Sequence, residues 1–159
     1  MRIVLEVVNA EGPVHEDRVL RGLLAAWGTK RAGARVKSAF DRAVRKLSAG
    51  QLRRSPKGFL SVSGRDAETV RVPTADEASQ RPIRHVPPNE RQRALLLTVR
   101  DAHSIDQDDL RLSVARLFGW RRTGAEISAT LDDDIEDMVE SGQLARSGSL
   151  LRERTAPPS

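Results

Sequence analysis

Basic side chains are concentrated in one short stretch of this chain, residues 30–46, which holds seven Lys and Arg residues and one acidic residue. At about 100° per residue, a helix over this stretch gathers its polar residues on one side. That side carries Arg31, Ser38, Arg42 and Arg45, with Arg35 at its edge. Because arginine donates paired hydrogen bonds to guanine and neutralises phosphate charge, the chemistry indicated is recognition of nucleic acid.

Three more basic residues lie on a predicted β-hairpin that follows this helix, around the turn-forming pair Ser55–Pro56. They complete a predicted DNA-binding set, which consists of Lys30, Arg31, Arg35, Ser38, Arg42, Arg45, Arg53, Arg54 and Lys57. The alternative interpretation is a solvated basic face that only keeps the helix soluble.

The elements that must position these residues occur twice in the sequence. A forward shift of 91 positions pairs Leu5 with Leu96, Gly28 with Gly119, Arg31 with Arg122 and, after one inserted residue, Leu52 with Leu144. A repeated unit of about 60 residues is too long for one helical solenoid repeat and suits a small domain. The sequence therefore predicts two homologous modules.

Each copy has the apolar spacing of three helices followed by a strand, a turn and a second strand. This order is typical of a winged helix. The predicted fold class is mainly α with small β-hairpins (α+β), formed by two tandem winged-helix modules. We expect residues 1–64 to form the first module, 65–90 a Pro-containing connector, 91–154 the second module and 155–159 a tail.

The predicted core follows from the same spacing. In the third helix of the first copy, the inward side carries Val36, Phe40, Ala43 and Leu47. Trp27 is predicted to be a core anchor because it matches Phe118 in the second copy. Trp120 is predicted to be exposed at the turn before the third helix of the second copy.

The third helix of the second copy has the opposite charge. Residues 121–137 hold two basic and six acidic side chains, whereas the whole chain has a net charge of +5. Glu126, Asp133 and Glu136 replace the arginines of the first copy. Since carboxylates repel phosphates, we expect this helix to bind a basic protein partner, with Trp120 as an anchor, or to shield the basic helix.

No set of residues in the sequence indicates a catalytic site, and we expect no enzyme activity, metal or cofactor. The chain has no Cys, so disulfides and thiol nucleophiles are excluded. Asp132, Asp133 and Asp134 diverge by about 100° per residue on a helix and cannot chelate one ion together. No apolar run reaches the roughly 18 residues of a membrane span, so a cytoplasmic location is expected, with association with the nucleoid as an option.

Four segments of the chain resemble a known family. They are Glu11–His15, Ala26–Arg35, Arg84–Glu90 and Leu117–Ala125. These segments look like the uncharacterised domain at the end of large bacterial superfamily-one helicase-like proteins, which often also carry an endonuclease-like segment. The resemblance implies a role beside DNA-processing machinery and a helicase or nuclease as partner, and it offers no catalytic residue.

Two functions are therefore expected from the sequence. The first is a non-catalytic DNA-binding module that binds duplex DNA through the basic first copy. The second is an adaptor in such an assembly, whose acidic helix docks a basic partner. The sequence leaves the oligomeric state and the choice between DNA and RNA open.

Overall fold

A computed structural model describes residues 2–29, 31–62, 69–75 and 79–154 of the chain. It has six α-helices and two small antiparallel sheets, which confirms the predicted α+β class. The chain divides into two compact units: unit 1 holds residues 1–67 and 84–87, and unit 2 holds residues 68–83 and 88–159. Among the described residues, no helix has both the length and the apolar character that a membrane crossing needs.

Unit 1 has the element order α-β-α-α-β-β. Its elements are α1 (Arg2–Glu11), β1 (Val14–His15), α2 (Glu16–Ala26), α3 (Ala34–Ser48), β2 (Leu52–Arg54) and β3 (Phe59–Val62). The sheet order is β1-β3-β2, so the strand between the first two helices pairs with the returning arm of the hairpin. In this pairing Val14 lies opposite Leu60, and Leu52 lies opposite Val62.

Unit 2 repeats this order. Its elements are α4 (Pro88–Ala102), β4 (Ile105–Asp106), α5 (Gln107–Leu117), α6 (Ala125–Glu140), β5 (Leu144–Ser147) and β6 (Leu150–Glu153). Ile105 pairs with Leu151, which matches the Val14–Leu60 pair at the 91-residue shift. The predicted connector extended to residue 90, but α4 already begins at Pro88.

The cores of the two units use matching positions. In unit 1 the buried residues include Val4, Val8, Val19, Leu23, Val44, Leu47 and Leu60. Their counterparts in unit 2 are buried too: Leu95, Val99, Leu110, Val114, Ile135, Met138 and Leu151. Because burial of an aliphatic side chain stabilises a fold by about 1.5–3 kcal/mol, these positions supply the common scaffold on which the polar faces differ.

The predicted inward side of α3 was partly wrong. Val44 and Leu47 are buried, whereas Val36 and Phe40 are only half-buried. Leu131, the counterpart of Phe40, is completely buried in α6. The core side of α3 is therefore centred closer to Val44, and Val36 and Phe40 lie toward an open groove.

Candidate functional site

The predicted basic residues of α3 are all on the surface of unit 1. Arg31, Arg35, Ser38, Arg42 and Arg45 are exposed, and Lys30 lies outside the described residues. We call Arg35, Ser38, Arg42 and Arg45 the basic stripe, because their spacing places them along one side of α3, away from Val44 and Leu47. Arg53 and Lys57 are exposed on the hairpin.

Arg54 belongs to the fold rather than to a free binding surface. Its guanidinium lies 2.8 Å from a carboxylate oxygen of Glu16 and 3.0 Å from one of Asp41, so it ties the hairpin to both α2 and α3. The hydrogen bond that Arg54 donates to Glu16 raises the pKa of Arg54, and burial opposes it. In unit 2, Arg146 repeats this arrangement by contacting Gln107 at 3.1 Å and Glu136 at 2.7 Å.

The cationic side chains of unit 1 differ in whether they form an ion pair within the protein. Arg45 lies 3.0 Å from Asp41, one helical turn away, and is 66 % exposed. Within the described part of the chain, no ion pair involves Arg31, Arg35, Arg42, Arg53 or Lys57. Of the predicted DNA-binding residues that the structure describes, these five have no carboxylate partner and are available to an anion.

The acidic residues of α6 occupy the same places as the basic stripe. Glu126, Asp133 and Glu136 are exposed, and they match Arg35, Arg42 and Arg45 at the 91-residue shift. However, Glu136 is bound to Arg146 of the hairpin. The free negative charge on this face is therefore carried by Glu126 and Asp133.

The two tryptophans have the opposite exposure to that predicted. Trp120 is only 8 % exposed, stacks on Phe118 with ring centroids 4.9 Å apart, and donates its indole N–H to the Arg81 carbonyl at 2.8 Å. It is therefore not an exposed partner anchor. Trp27 is 61 % exposed, so the prediction of a core anchor was wrong as well. Its counterpart Phe118 is buried.

Unit 2 contains a buried carboxylate that sequence reasoning missed. Glu90 is completely buried, and its oxygens accept hydrogen bonds from the Arg71 and Arg81 guanidinium groups at 2.6 Å each and from the Arg71 backbone N–H at 2.8 Å. Burial alone would raise the pKa of Glu90, but the hydrogen bonds from Arg81 and Arg71 outweigh it and lower the pKa. This cluster fixes the segment before α4 to the first turn of α4.

The second buried ion pair of unit 2 involves Asp134, an acidic residue on the inward side of α6. Arg91 of α4 donates two hydrogen bonds to the Asp134 carboxylate, at 2.5 and 2.9 Å, and both side chains are 5 % exposed. Asp134 stands where unit 1 has Ala43. A single acidic residue on the inward side of α6 is thus neutralised by a partner on another helix.

His15, Asp17 and His85 form a compact cluster in unit 1, with ligand-type atoms within 4.8 Å of one another. His15 caps α2 by accepting the Asp17 backbone N–H on Nδ1. Arg21, which can only donate, lies 3.0 Å from Nδ1 of His85. When neutral, each ring therefore carries its proton on Nε2, and the His85 Nε2 faces the Asp17 carboxylate at 3.4 Å. These hydrogen bonds give the cluster a structural role at the start of α2.

This cluster predicts that acid destabilises unit 1. Burial, followed by the charges of His15 and Arg21, lowers the pKa of His85 from 6.5 to about 4, with Asp17 opposing the shift. The folded state therefore favours the neutral ring. Its contribution to stability is complete above the unfolded pKa of 6.5 and is lost as the pH falls toward 4.

Urea unfolding of the full chain between pH 7 and pH 4, followed by circular dichroism, checks this expectation. The loss of stability should be smaller in His85→Gln than in the parent protein. His103→Asn is the matched control, because His103 is exposed. Equal acid sensitivity of all three proteins would contradict the role of His85.

Comparison with known proteins gives one partial match. A family model described as "Protein of unknown function (DUF3320)" matches residues 1–38, which cover α1, α2 and the start of α3. No curated protein and no solved structure matches the chain significantly.

Proposed function

We propose that each unit is a winged-helix module and that unit 1 binds duplex DNA, with no catalysis by this chain, in a helicase- or nuclease-type DNA-processing system. In this proposal α3 enters the major groove with the basic stripe toward the DNA. Arg53 and Lys57 on the hairpin contact the flanking backbone. The helicase or nuclease setting rests on the sequence resemblance alone.

One observation carries the proposal: the two units share one scaffold but have opposite charge on the same helix face. Positions 35, 42 and 45 of α3 are Arg, and the matching positions 126, 133 and 136 of α6 are acidic. A basic face that served solubility alone would need no such asymmetry, since either charge keeps a helix face hydrated. The availability of Arg31, Arg35 and Arg42 supports their role in contacting phosphates.

The test is the salt dependence of duplex binding by the full chain. Fluorescence anisotropy with a short random-sequence duplex should show log affinity falling linearly with log salt. Combined replacement of Arg31, Arg35 and Arg42 by Ala should lower that slope by about 2.7, because each lost phosphate contact removes about 0.9. At low salt the variant should bind on the order of a hundredfold more weakly.

The matched control is a triple Ala variant at Arg93, Arg116 and Arg152, three exposed residues of unit 2. It removes the same net charge from the chain but leaves α3 intact. We expect it to keep the slope of the parent protein. If both triple variants weaken binding equally, Arg31, Arg35 and Arg42 have no special role and the attraction is only that of net charge.

The second candidate function is an adaptor that docks a basic protein surface on α6. The exposure of Glu126 and Asp133, and the absence of an ion pair for either within the described ranges, favour it. Replacement of both by their amides should abolish binding to a helicase or nuclease partner and leave DNA binding unchanged. A gain in DNA affinity would instead mean that α6 shields the basic stripe.

A further inference from the structure

The end of α2 in unit 1 and the end of α5 in unit 2 match in backbone shape but differ in what covers them. Gly28 and Gly119 follow the two helices and have φ values of +69° and +73°. A Cβ atom on Gly119 would lie 2.8 Å from the Pro73 ring, whereas one on Gly28 would meet no described residue within 4 Å. Gln80 also donates a hydrogen bond to the Gly119 carbonyl. Unit 2 thus places a proline-containing segment of its own chain on this surface.

The residues beside the two glycines show the same difference. In unit 2, Trp120 covers Phe118 and is held by the Arg81 carbonyl. In unit 1, the position of Trp120 is taken by Thr29, which is exposed, and no ring in the described part of the chain stacks on the indole of Trp27. The aromatic surface that unit 2 buries within itself is therefore left open by the described residues of unit 1.

Two cavities lie along this open surface of unit 1. One, of about 460 Å³, is lined by Arg21, Leu24, Ala25, Gly28 and Thr29. Of these, Leu24, Gly28 and Thr29 match Ala115, Gly119 and Trp120 of unit 2. The other, of about 320 Å³, lies between the three helices, and its walls include Ile3, Trp27, Val36 and Phe40. All the residues lining this second cavity are apolar except Arg35.

We propose that this surface, which we call the Trp27 groove, docks an extended, proline-containing segment of a protein partner. Unit 2 supplies the pattern: Pro73 lies on Gly119, Gln80 donates to the Gly119 carbonyl, and Trp120 stacks on Phe118. The peptide would correspondingly place a proline ring on Gly28, an amide donor at its carbonyl and an apolar ring on Trp27. An acidic residue in the segment would face Arg35, which lines the groove and has no ion pair among the described residues. The proposal does not depend on DNA binding by the basic stripe.

The apolar lining favours a peptide over an unpaired base. A base brings polar edge atoms into whatever cavity it enters, and burial of such atoms without partners costs free energy. The walls of the 320 Å³ cavity offer aliphatic and aromatic carbon from Ile3, Val36 and Phe40. Aromatic residues exposed over such a cavity are typical anchors of protein interfaces.

The experiment is a selection of short random peptides on the full chain, followed by a binding measurement on the enriched peptides. The signals of the two tryptophans can be told apart because Trp27 is exposed and Trp120 is buried. In protein labelled with 5-fluorotryptophan, enriched peptides should move the ¹⁹F signal of Trp27 and leave that of Trp120 in place. They should contain proline, an apolar side chain and net negative charge.

Three variants give the readout its specificity. Trp27→Ala should weaken the affinity for the enriched peptides by at least about thirtyfold, the loss expected for an interface anchor. Trp27→Phe, which restores the residue type of Phe118, should retain binding. Thr29→Trp, which imitates Trp120, should block it by stacking on Trp27.

Two results would overturn the proposal. The first is that selection enriches no peptide that depends on Trp27. The second is that a single-stranded oligonucleotide shifts the Trp27 signal and displaces the peptides, which would make the groove a base-stacking site. Weaker duplex binding in the double variant Arg31→Ala, Arg42→Ala, which leaves Arg35 in the groove, with peptide binding intact, would show that the two surfaces act separately.

Discussion

Replacement of Glu90 by Gln should lower the free energy of unfolding of unit 2 by about 3–5 kcal/mol, the cost of breaking a buried ion pair by removing one partner. The carboxylate is completely buried and accepts hydrogen bonds from two arginines. An amide offers one oxygen and no charge, so Arg81, whose side chain is 10 % exposed, would be left largely uncompensated.

Urea unfolding in a Trp27→Phe background measures this effect, because Trp120 then reports on unit 2 alone. Glu140→Gln is the control, since Glu140 is exposed, and we expect it to stay within about 0.5 kcal/mol of the parent.

The lowered pKa of Glu90 adds a second expectation. Its contribution is present above the unfolded pKa and is lost as the pH falls through the folded pKa, so Glu90→Gln should reduce the acid sensitivity of unit 2. Unchanged stability of Glu90→Gln would mean that the ion pairs of Glu90 with Arg71 and Arg81 do not form in solution.

The second large effect is expected at Asp134. Asp134→Ala should cost about 3–5 kcal/mol, because it leaves the Arg91 guanidinium buried without its carboxylate. The double variant Arg91→Met, Asp134→Ala should be clearly more stable than the single one. The scaffold accepts Ala here, since Ala43 occupies this place in unit 1.

A double-mutant cycle by urea unfolding gives the coupling between the two residues, which we expect to reach about 2–3 kcal/mol. The methionine keeps apolar volume where the stem of Arg91 lay and carries no charge that needs a partner. Additive losses from the two single variants would contradict the account of Asp134 as a residue neutralised by Arg91.

The periodic parts of the sequence predicted the fold well. The repeated apolar spacing placed all six helices, because each has a core stripe that recurs in both copies, as with Val8 and Val99. The two-residue strands β1 and β4 were not predicted, since two residues have no period. Their pairing with the hairpin depends on contacts far apart in the chain.

The candidate site was less accessible to prediction. The exposure of α3's arginines follows from its period, and so does the acidic face of α6. The exposure of the two tryptophans does not follow from the helical period. The burial of Trp120 depends on Arg81 and its neighbours, which lie in a segment without helical period. The tie made by Arg54 to Asp41 and Glu16 needs three elements brought together in space, which the spacing of residues along the chain does not report.

The central claim is that charge on one helix face decides which unit binds DNA. The most direct test gives α3 the charged residues of α6 in the full chain, by the substitutions Arg35→Glu, Arg42→Asp and Arg45→Glu. Unit 2 carries these acidic residues at the matching positions. Duplex affinity is then measured by anisotropy against salt, with circular dichroism to show that the fold is kept. We predict a folded protein whose duplex binding is lost at moderate salt. Binding that persists with the salt slope of the parent protein would contradict the claim.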